Sequence, residues 1–211
     1  MMTATEILHA FLRDIRNTGV IESIAVLTGI LSVWYSRKEN ILVYPVGLVN
    51  TVFYVYLSVK GGLFGEASVN LYYTIMSIYG WMMWSEKDAD KKHVLHITSS
   101  TRKEWLQQLL FFAAFFIAIF SALRFLKAGF YPNVIPWADA LASASAFTGM
   151  WLMTRKKMES WLWWIVTNLA SIPLYFVKHY VLTSVYYFIL LGMAIWGWIE
   201  WRKRQQQQHA T

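Results

Sequence analysis

The stretch Ile78-Tyr79-Gly80-Trp81-Met82-Met83-Trp84 has a second copy 117 residues later, Ile195-Trp196-Gly197-Trp198-Ile199-Glu200-Trp201. Both copies read Ile-aromatic-Gly-Trp-x-x-Trp, and each ends a long apolar segment. Other residues recur at a spacing of 118, namely Asn50 with Asn168, Lys60 with Lys178, and Ser36-Arg37-Lys38 with Thr154-Arg155-Lys156. A gap of one residue aligns them all, which indicates two copies of one unit. The tryptophans of the motif are typical of anchors at a membrane interface.

The composition around this repeat is that of an integral membrane protein. Hydrophobic residues make up 57% of the 211 residues and charged residues only 15%, with a mean hydropathy of +0.38. A soluble domain has about 25% charged residues and could not bury so much apolar surface. The composition excludes a disordered chain, and the lack of cysteine excludes disulfides, thiolate metal sites and cysteine nucleophiles.

Seven apolar segments are predicted to cross the bilayer as helices. They are residues 20–35, 41–59, 65–84, 105–126, 134–153, 160–177 and 181–201. The repeat divides them into three-helix units at 20–84 and 134–201, joined by a polar loop and one linker span at 85–133. A unit and the linker together cross the membrane an even number of times, so both units enter from the same side as a parallel repeat. The predicted fold is an all-α membrane protein with seven transmembrane helices in a 3+1+3 arrangement.

The two ends of the chain lie outside these spans. Residues 1–19 show no signal-peptide pattern, and apolar residues between Thr5 and Ile15 recur at helical spacing. They predict an amphipathic helix lying on the membrane surface. The tail 202–211, Arg-Lys-Arg followed by four Gln, is predicted to be disordered.

Positive charge predicts the orientation of the spans. Of the 19 Lys and Arg residues, thirteen fall on the side of the C-terminus and six on the side of the N-terminus. Cytoplasmic loops of membrane proteins carry the excess of positive charge. We therefore expect a periplasmic N-terminus and a cytoplasmic C-terminus, and the net charge of +7 needs no nucleic-acid partner to explain it.

Polar residues inside a span are costly and mark candidate functional positions. The third span carries Glu66, Asn70, Tyr73, Ser77 and Trp81 at steps of three and four, which places them on one helical face. This face either lines a translocation path or supplies hydrogen bonds between helices.

The sixth span carries Trp161, Trp164 and Asn168 on one face, and Trp163 on another. Two indoles and an amide suit a flat aromatic ligand, and an indole also attracts a cationic ring. The alternative is a belt of interfacial tryptophans, to which we assign Trp163. Asn50, which the spacing of 118 pairs with Asn168, either binds the substrate from the opposite unit or bonds to Asn168 itself.

The fifth span begins with Pro136 and contains Asp139, the only carboxylate of that span. Asp139 either contacts a cationic substrate or caps the start of the helix.

Catalytic and metal sites have little support in the sequence. His93 and His96 are the only histidines close together, and they lie in the polar loop. No G-x-x-x-x-G-K-[ST] loop occurs, so we predict neither direct ATP coupling nor an enzyme, and no cofactor. A scaffold would not need polar faces in both units, so a small-solute transporter is the favoured class.

The chain resembles the PnuC transporters of bacterial inner membranes from about Glu22 to Trp201. The resemblance rests on the turn Met153-Thr154-Arg155-Lys156, the pair Trp161-x-x-Trp164 with Asn168, the span-3 motif from Ser77 to Trp84, and Trp137 with Asp139. It implies a fold related to the SWEET sugar transporters and facilitated uptake of nicotinamide riboside, which a cytoplasmic kinase traps by phosphorylation. It also implies a homotrimer.

On this resemblance Trp161, Trp164 and Asn168 bind the substrate. The family commonly has Gln and Asn at the positions of Asn70 and Ser77, so the hydrogen-bonding pattern around the substrate differs here. Some relatives transport thiamine, which also has a cationic aromatic ring, and thiamine is therefore the alternative substrate.

Overall fold

A computed structural model describes residues 4–60, 64–87, 94–127 and 135–208. These residues form eight helices, which are α1 Ala4–Asn17, α2 Val20–Arg37, α3 Val43–Lys60, α4 Phe64–Ser85, α5 Arg102–Lys127, α6 Pro136–Thr154, α7 Ser160–Val177 and α8 Val181–Gln208. Each of the seven predicted spans is a helix, with ends that differ by a few residues. His93, and with it the proposed proximity to His96, lies outside the described residues.

The prediction of a disordered C-terminal tail is wrong for residues 202–208, because α8 continues to Gln208. Side-chain bonds stabilise this extension. Arg204 donates to Glu200 one turn back at 3.0 Å, and Gln205 Nε2 donates to Ser99 Oγ at 2.9 Å. Glutamine and arginine are also good helix formers.

Four of the described helices, α2, α5, α7 and α8, are long and apolar enough to cross a membrane by length and composition. Helices α3, α4 and α6 have 18, 22 and 19 residues, enough for a bilayer. Helices α3 and α4 each contain three tyrosines, and α6 contains four serine or threonine residues. The molecule is thus an all-helical, multi-pass membrane protein.

The six helices of the two predicted units pack as a ring. Helices α2, α3 and α4 contact one another in chain order, and so do α6, α7 and α8. Contacts of α2 with α8 and of α4 with α6 close the ring. Helix α5 packs against α6, and α1 packs against α8.

The two sets of three helices match at a spacing of 117 along their whole length. Helix α3 begins and ends 117 residues before α7, and α2 ends 117 residues before α6. The residues with positive φ after these first helices, Glu39 at 56° and Lys156 at 49°, have the same spacing. No gap is needed, so the predicted match of Asn50 with Asn168 is off by one residue. The position equivalent to Asn168 is Thr51, about 100° around the helix from Asn50.

Helix α1 forms where the sequence predicts an amphipathic helix, and its position on the membrane surface stays a prediction. Its apolar residues Leu8, Leu12 and Ile15 are about half exposed and lie on one side at helical spacing. Asp14 accepts a hydrogen bond from the backbone N–H of Leu182 at 3.4 Å, which fixes α1 to the first turn of α8.

Candidate functional site

Trp164 of α7 and Tyr73 of α4 face each other between the two three-helix sets. Their ring centroids lie 6.2 Å apart at a tilt of 46°. Phe147 of α6 contacts the same tyrosine edge-on at 6.1 Å. Gly149 lets the indole approach α6, since a Cβ atom there would lie 3.3 Å from Cε2 of Trp164. The three aromatic rings therefore come from three helices and form one cluster.

Asn168 and Ser77 are buried polar residues without partners. Each is 3% exposed, and no hydrogen bond joins either side chain to another group in the part of the chain that the structure describes. Asn168 lies one turn after Trp164 on α7, and Ser77 one turn after Tyr73 on α4. Amide and hydroxyl groups that make no hydrogen bond in the protein are candidates for binding a polar ligand, and the fully buried indole N–H of Trp161 is a further group of this kind.

The other two asparagines already have partners. Asn50 Nδ2 donates to the carbonyl of Ala25 at 2.6 Å, which joins α3 to α2. Asn70 Nδ2 donates to the carbonyl of Glu66 at 2.9 Å, one turn back on α4. Asn50 therefore does not bond to Asn168. The amide N–H groups of Asn50 and Asn70 that have partners bond to backbone carbonyls of the same three-helix set.

Asp139 is engaged in a cap and an ion pair. Its Oδ2 accepts a hydrogen bond from the backbone N–H of Ile135 at 2.9 Å, and its Oδ1 lies 2.7 Å from Lys178 Nζ. Of the two predicted roles, the structure therefore supports capping of α6. The lysine already neutralises the carboxylate that would have met a cationic substrate.

Trp161 lies in the buried core that the two sets share, and Trp164 packs against the same core. It is 1% exposed, packs edge-on against Trp201 at 5.5 Å and fills a notch left by Gly197. The first set repeats this arrangement at a spacing of 117. There Tyr44 fills the notch of Gly80 and packs edge-on against Trp84 at 5.2 Å.

The repeated Ile-aromatic-Gly-Trp-x-x-Trp motif is therefore only partly an interface anchor. Trp81 is 40% exposed, but the last tryptophan of each copy is buried, Trp84 at 2% and Trp201 at 0%. Trp84 Nε1 donates to the carbonyl of Met153 at 3.2 Å, and Trp201 Nε1 donates to the carbonyl of Ser36 at 3.0 Å. Each copy thus bonds to the opposite set of helices.

Trp163 was predicted to be a belt residue, and this prediction is wrong. It is 8% exposed, and its Nε1 donates to Gln108 Oε1 of α5 at 3.1 Å. Gln108 Nε2 donates to Ser100 Oγ at 2.7 Å, and Ser100 donates in turn to Glu159 from both its backbone N–H and its hydroxyl. The indole of Trp163 is therefore buried because it belongs to a series of hydrogen bonds that joins α5 to the start of α7.

Comparison with known proteins agrees with this architecture. The family model described as nicotinamide mononucleotide transporter matches residues 19–203. The chain belongs to this transporter family.

Several proteins of known function are similar to this chain. The riboflavin/roseoflavin transporter RibM of Streptomyces davaonensis is 23% identical over 186 residues, with 86% of this chain and 84% of the relative covered. The nicotinamide riboside transporter PnuC of Escherichia coli is 23% identical over 201 residues, with the same shares. PnuC of Neisseria mucosa is 26% identical over 192 residues, which cover 86% of this chain and 71% of the relative.

The fold of this family member also has a solved counterpart. The crystal structure of the vitamin B3 transporter PnuC superposes with a TM-score of 0.68 at 24% sequence identity. The match covers 95% of this chain and 90% of the other. It supports a PnuC-like membrane fold.

Sequence reasoning missed two groups of residues in this family member. The first is the series of hydrogen bonds around Gln108. It joins Trp163 to Gln108, 55 positions apart, and Ser100 to Glu159, 59 positions apart, and no sequence spacing predicts such pairs. The crossed bonds of Trp84 and Trp201 had a signal, the motif itself, but its tryptophans were assigned to the interface.

Proposed function

We propose that this protein is a bacterial inner-membrane transporter for the facilitated uptake of nicotinamide riboside, which cytoplasmic phosphorylation then traps. The observation that carries the proposal is the arrangement of Trp164, Asn168, Tyr73 and Ser77. An aromatic cluster and unpaired polar groups meet between two matched sets of helices. The family and the curated PnuC relatives supply the substrate class.

The chemistry of these groups suits a nucleoside with a cationic base. The indole of Trp164 stacks on the pyridinium ring and attracts its charge. The amide of Asn168 both donates and accepts, as vicinal ribose hydroxyls require, and Ser77 and the hydroxyl of Tyr73 add further polar contacts. Trp161, Asn50, Asn70 and Asp139 position the helices around this site.

The proposed architecture is seven transmembrane helices in a SWEET-like 3+1+3 arrangement, with units at 20–84 and 134–201 and α5 as the linker. The matched pairs at a spacing of 117 support it. The excess of Lys and Arg supports a periplasmic segment 1–19 and a cytoplasmic tail 202–211. Single cysteines at Lys60 and at Gln207 should then react with an impermeant reagent from opposite sides. Labelling from one side only contradicts this topology. Gly61, where the sequence also predicts labelling from outside, lies outside the described residues.

Competition measures the substrate directly. Purified protein should bind nicotinamide riboside, and reconstituted vesicles should take it up without ATP or an ion gradient. Riboflavin is the second candidate because RibM is as similar to this chain as Escherichia coli PnuC is. Thiamine is the third arm of the assay. If thiamine or riboflavin displaces bound riboside at a lower concentration than riboside itself, the substrate assignment is wrong.

We also propose a homotrimer, which follows from the resemblance alone. Native mass spectrometry of the detergent-extracted protein should give three times the mass of 24.6 kDa. A monomeric mass under conditions that keep riboside binding contradicts the trimer.

A further inference from the structure

Hydrogen bonds between the two three-helix sets concentrate at one end of the ring. This end, which we call the turn end, is formed by residues 36–42 and 153–159 and by the motif tryptophans. There Trp84 reaches the carbonyl of Met153 at 3.2 Å, and Trp201 reaches the carbonyl of Ser36 at 3.0 Å. The two bonds are equivalent, since donors and acceptors are each 117 residues apart.

Two further contacts join equivalent residues directly. Ser36 Oγ lies 3.0 Å from Sδ of Met153, and Lys156 Nζ lies 2.8 Å from Glu39 Oε1. A residue can touch its own equivalent only where the axis that relates the two sets passes between them. The turn end is therefore closed on that axis, and the buried ammonium of Lys156 is held there also by the carbonyl of Leu95 at 2.9 Å.

Away from the turn end the described residues of the two sets are joined by far fewer polar contacts. There the Tyr72 hydroxyl donates to the carbonyl of Phe147 at 3.0 Å. The turn end also lines an open cavity of about 600 Å³, whose wall includes Glu39, Lys156, Trp84 and Arg204. Glu39, Lys156 and Trp84 therefore belong both to the closed contacts and to the wall of this cavity.

We propose that these contacts are the cytoplasmic gate of the transport path, which this structure holds closed, and that the cavity is its cytoplasmic vestibule. The inference rests on the proposed function and orientation. Release of a substrate into the cytoplasm then requires the two crossed indole bonds and the Glu39–Lys156 ion pair to break together. The ion pair lies on the axis and the axis relates the two indole bonds to each other, so a small separation of the two sets breaks them at once.

A cross-link tests the gate, and the chain contains no cysteine of its own. Ser36→Cys with Met153→Cys, once oxidised, should reduce uptake of nicotinamide riboside into vesicles at least tenfold. Equilibrium binding should stay within about twofold, and reduction should restore uptake. Thr51→Cys with Thr74→Cys is the matched control, because those hydroxyls lie 2.9 Å apart within one set. Full uptake by the cross-linked Ser36/Met153 protein overturns the proposal.

A second measurement needs no disulfide. In a Ser77→Cys background, Glu39→Gln should raise labelling by an impermeant maleimide from the cytoplasmic side about tenfold. The charge-conserving Lys156→Arg should keep labelling at the slow rate, since a guanidinium can still donate to Glu39 and to the Leu95 carbonyl. Equal labelling in all three proteins overturns the gate. If the Ser36→Cys/Met153→Cys protein fails to bind riboside even when its disulfide is reduced, the proposed function is refuted. The labelling result still tests the gate.

Discussion

The indole of Trp161 occupies the space where a side chain on Gly197 would begin. A Cβ atom at Gly197 would lie 2.5 Å from Cη2 of the indole. The same relation joins Tyr44 to Gly80, 117 residues earlier in the chain. The two glycines of the repeated motif therefore let an aromatic ring of the second helix of each set pack against the backbone of the third.

This packing predicts the effect of adding one methyl group. Gly197→Ala should lower the free energy of unfolding by about 1–3 kcal/mol, because a buried indole must move to make room. Gly192→Ala on the same helix is the control, since nothing lies within 4 Å of its added Cβ atom. Thermal unfolding in detergent compares the two, and equal melting temperatures would show that the notch does not constrain the ring.

Trp164→Ala should weaken riboside binding by roughly ten- to a hundredfold, which corresponds to about 1–3 kcal/mol of stacking on the base. Trp137→Ala, at a 60% exposed position outside the cluster, should have little effect. Isothermal titration with riboside measures both. Comparable losses from the two changes would contradict the site. Trp163 is unsuitable as the control because its indole bonds to Gln108.

Removing each of two asparagine amides should have different consequences. Asn168→Ala should cost about 1–3 kcal/mol of riboside affinity and little stability, because its amide has no partner before the ligand arrives. Asn50→Ala should instead lower the melting temperature, since it breaks the bond to the Ala25 carbonyl. Binding and melting curves of both variants check this. Lost affinity in Asn50→Ala with lost stability in Asn168→Ala would show that Asn50 binds the substrate and that Asn168 stabilises the fold.

Gln108→Leu should lower the free energy of unfolding by about 1–3 kcal/mol, because it leaves the buried Trp163 N–H without an acceptor. The neighbouring variant Gln107→Leu changes an exposed position and should be close to neutral. Denaturation in detergent measures both. A melting temperature of Gln108→Leu equal to that of the unsubstituted protein would mean that the polar chain contributes nothing.

The start of α5 predicts a dependence of stability on pH. Hydrogen bonding to Lys157, whose Nζ lies 2.7 Å away, holds the pKa of Glu104 below its ordinary value. A lowered pKa stabilises the folded state above the ordinary carboxyl range, and this contribution is lost as pH falls toward the lowered value. The difference in melting temperature between the unsubstituted protein and Glu104→Gln should therefore shrink on acidification. A difference that grows instead would exclude the ionised pair.

The sequence by itself determined where the helices are. Apolar runs of bilayer length, bounded by charged turns, fall on α2 to α8 because the bilayer requires each crossing segment to satisfy its own backbone. The motif at 78–84 and 195–201 also revealed the two related sets. Its spacing of 117 holds throughout, and the match of Asn50 with Asn168 at 118 misled because single polar residues recur by chance.

Only the tertiary structure decided which way the tryptophans face. Trp161, Trp163, Trp164, Trp84 and Trp201 look alike in sequence, yet two anchor the crossed bonds at the turn end, two serve the packing around α7, and Trp164 faces the other set of helices. In a soluble protein the apolar side of a helix identifies the interior. In a membrane both lipid and core are apolar, so helical periodicity carries no such signal, and the indole partners depend on neighbours distant in the chain.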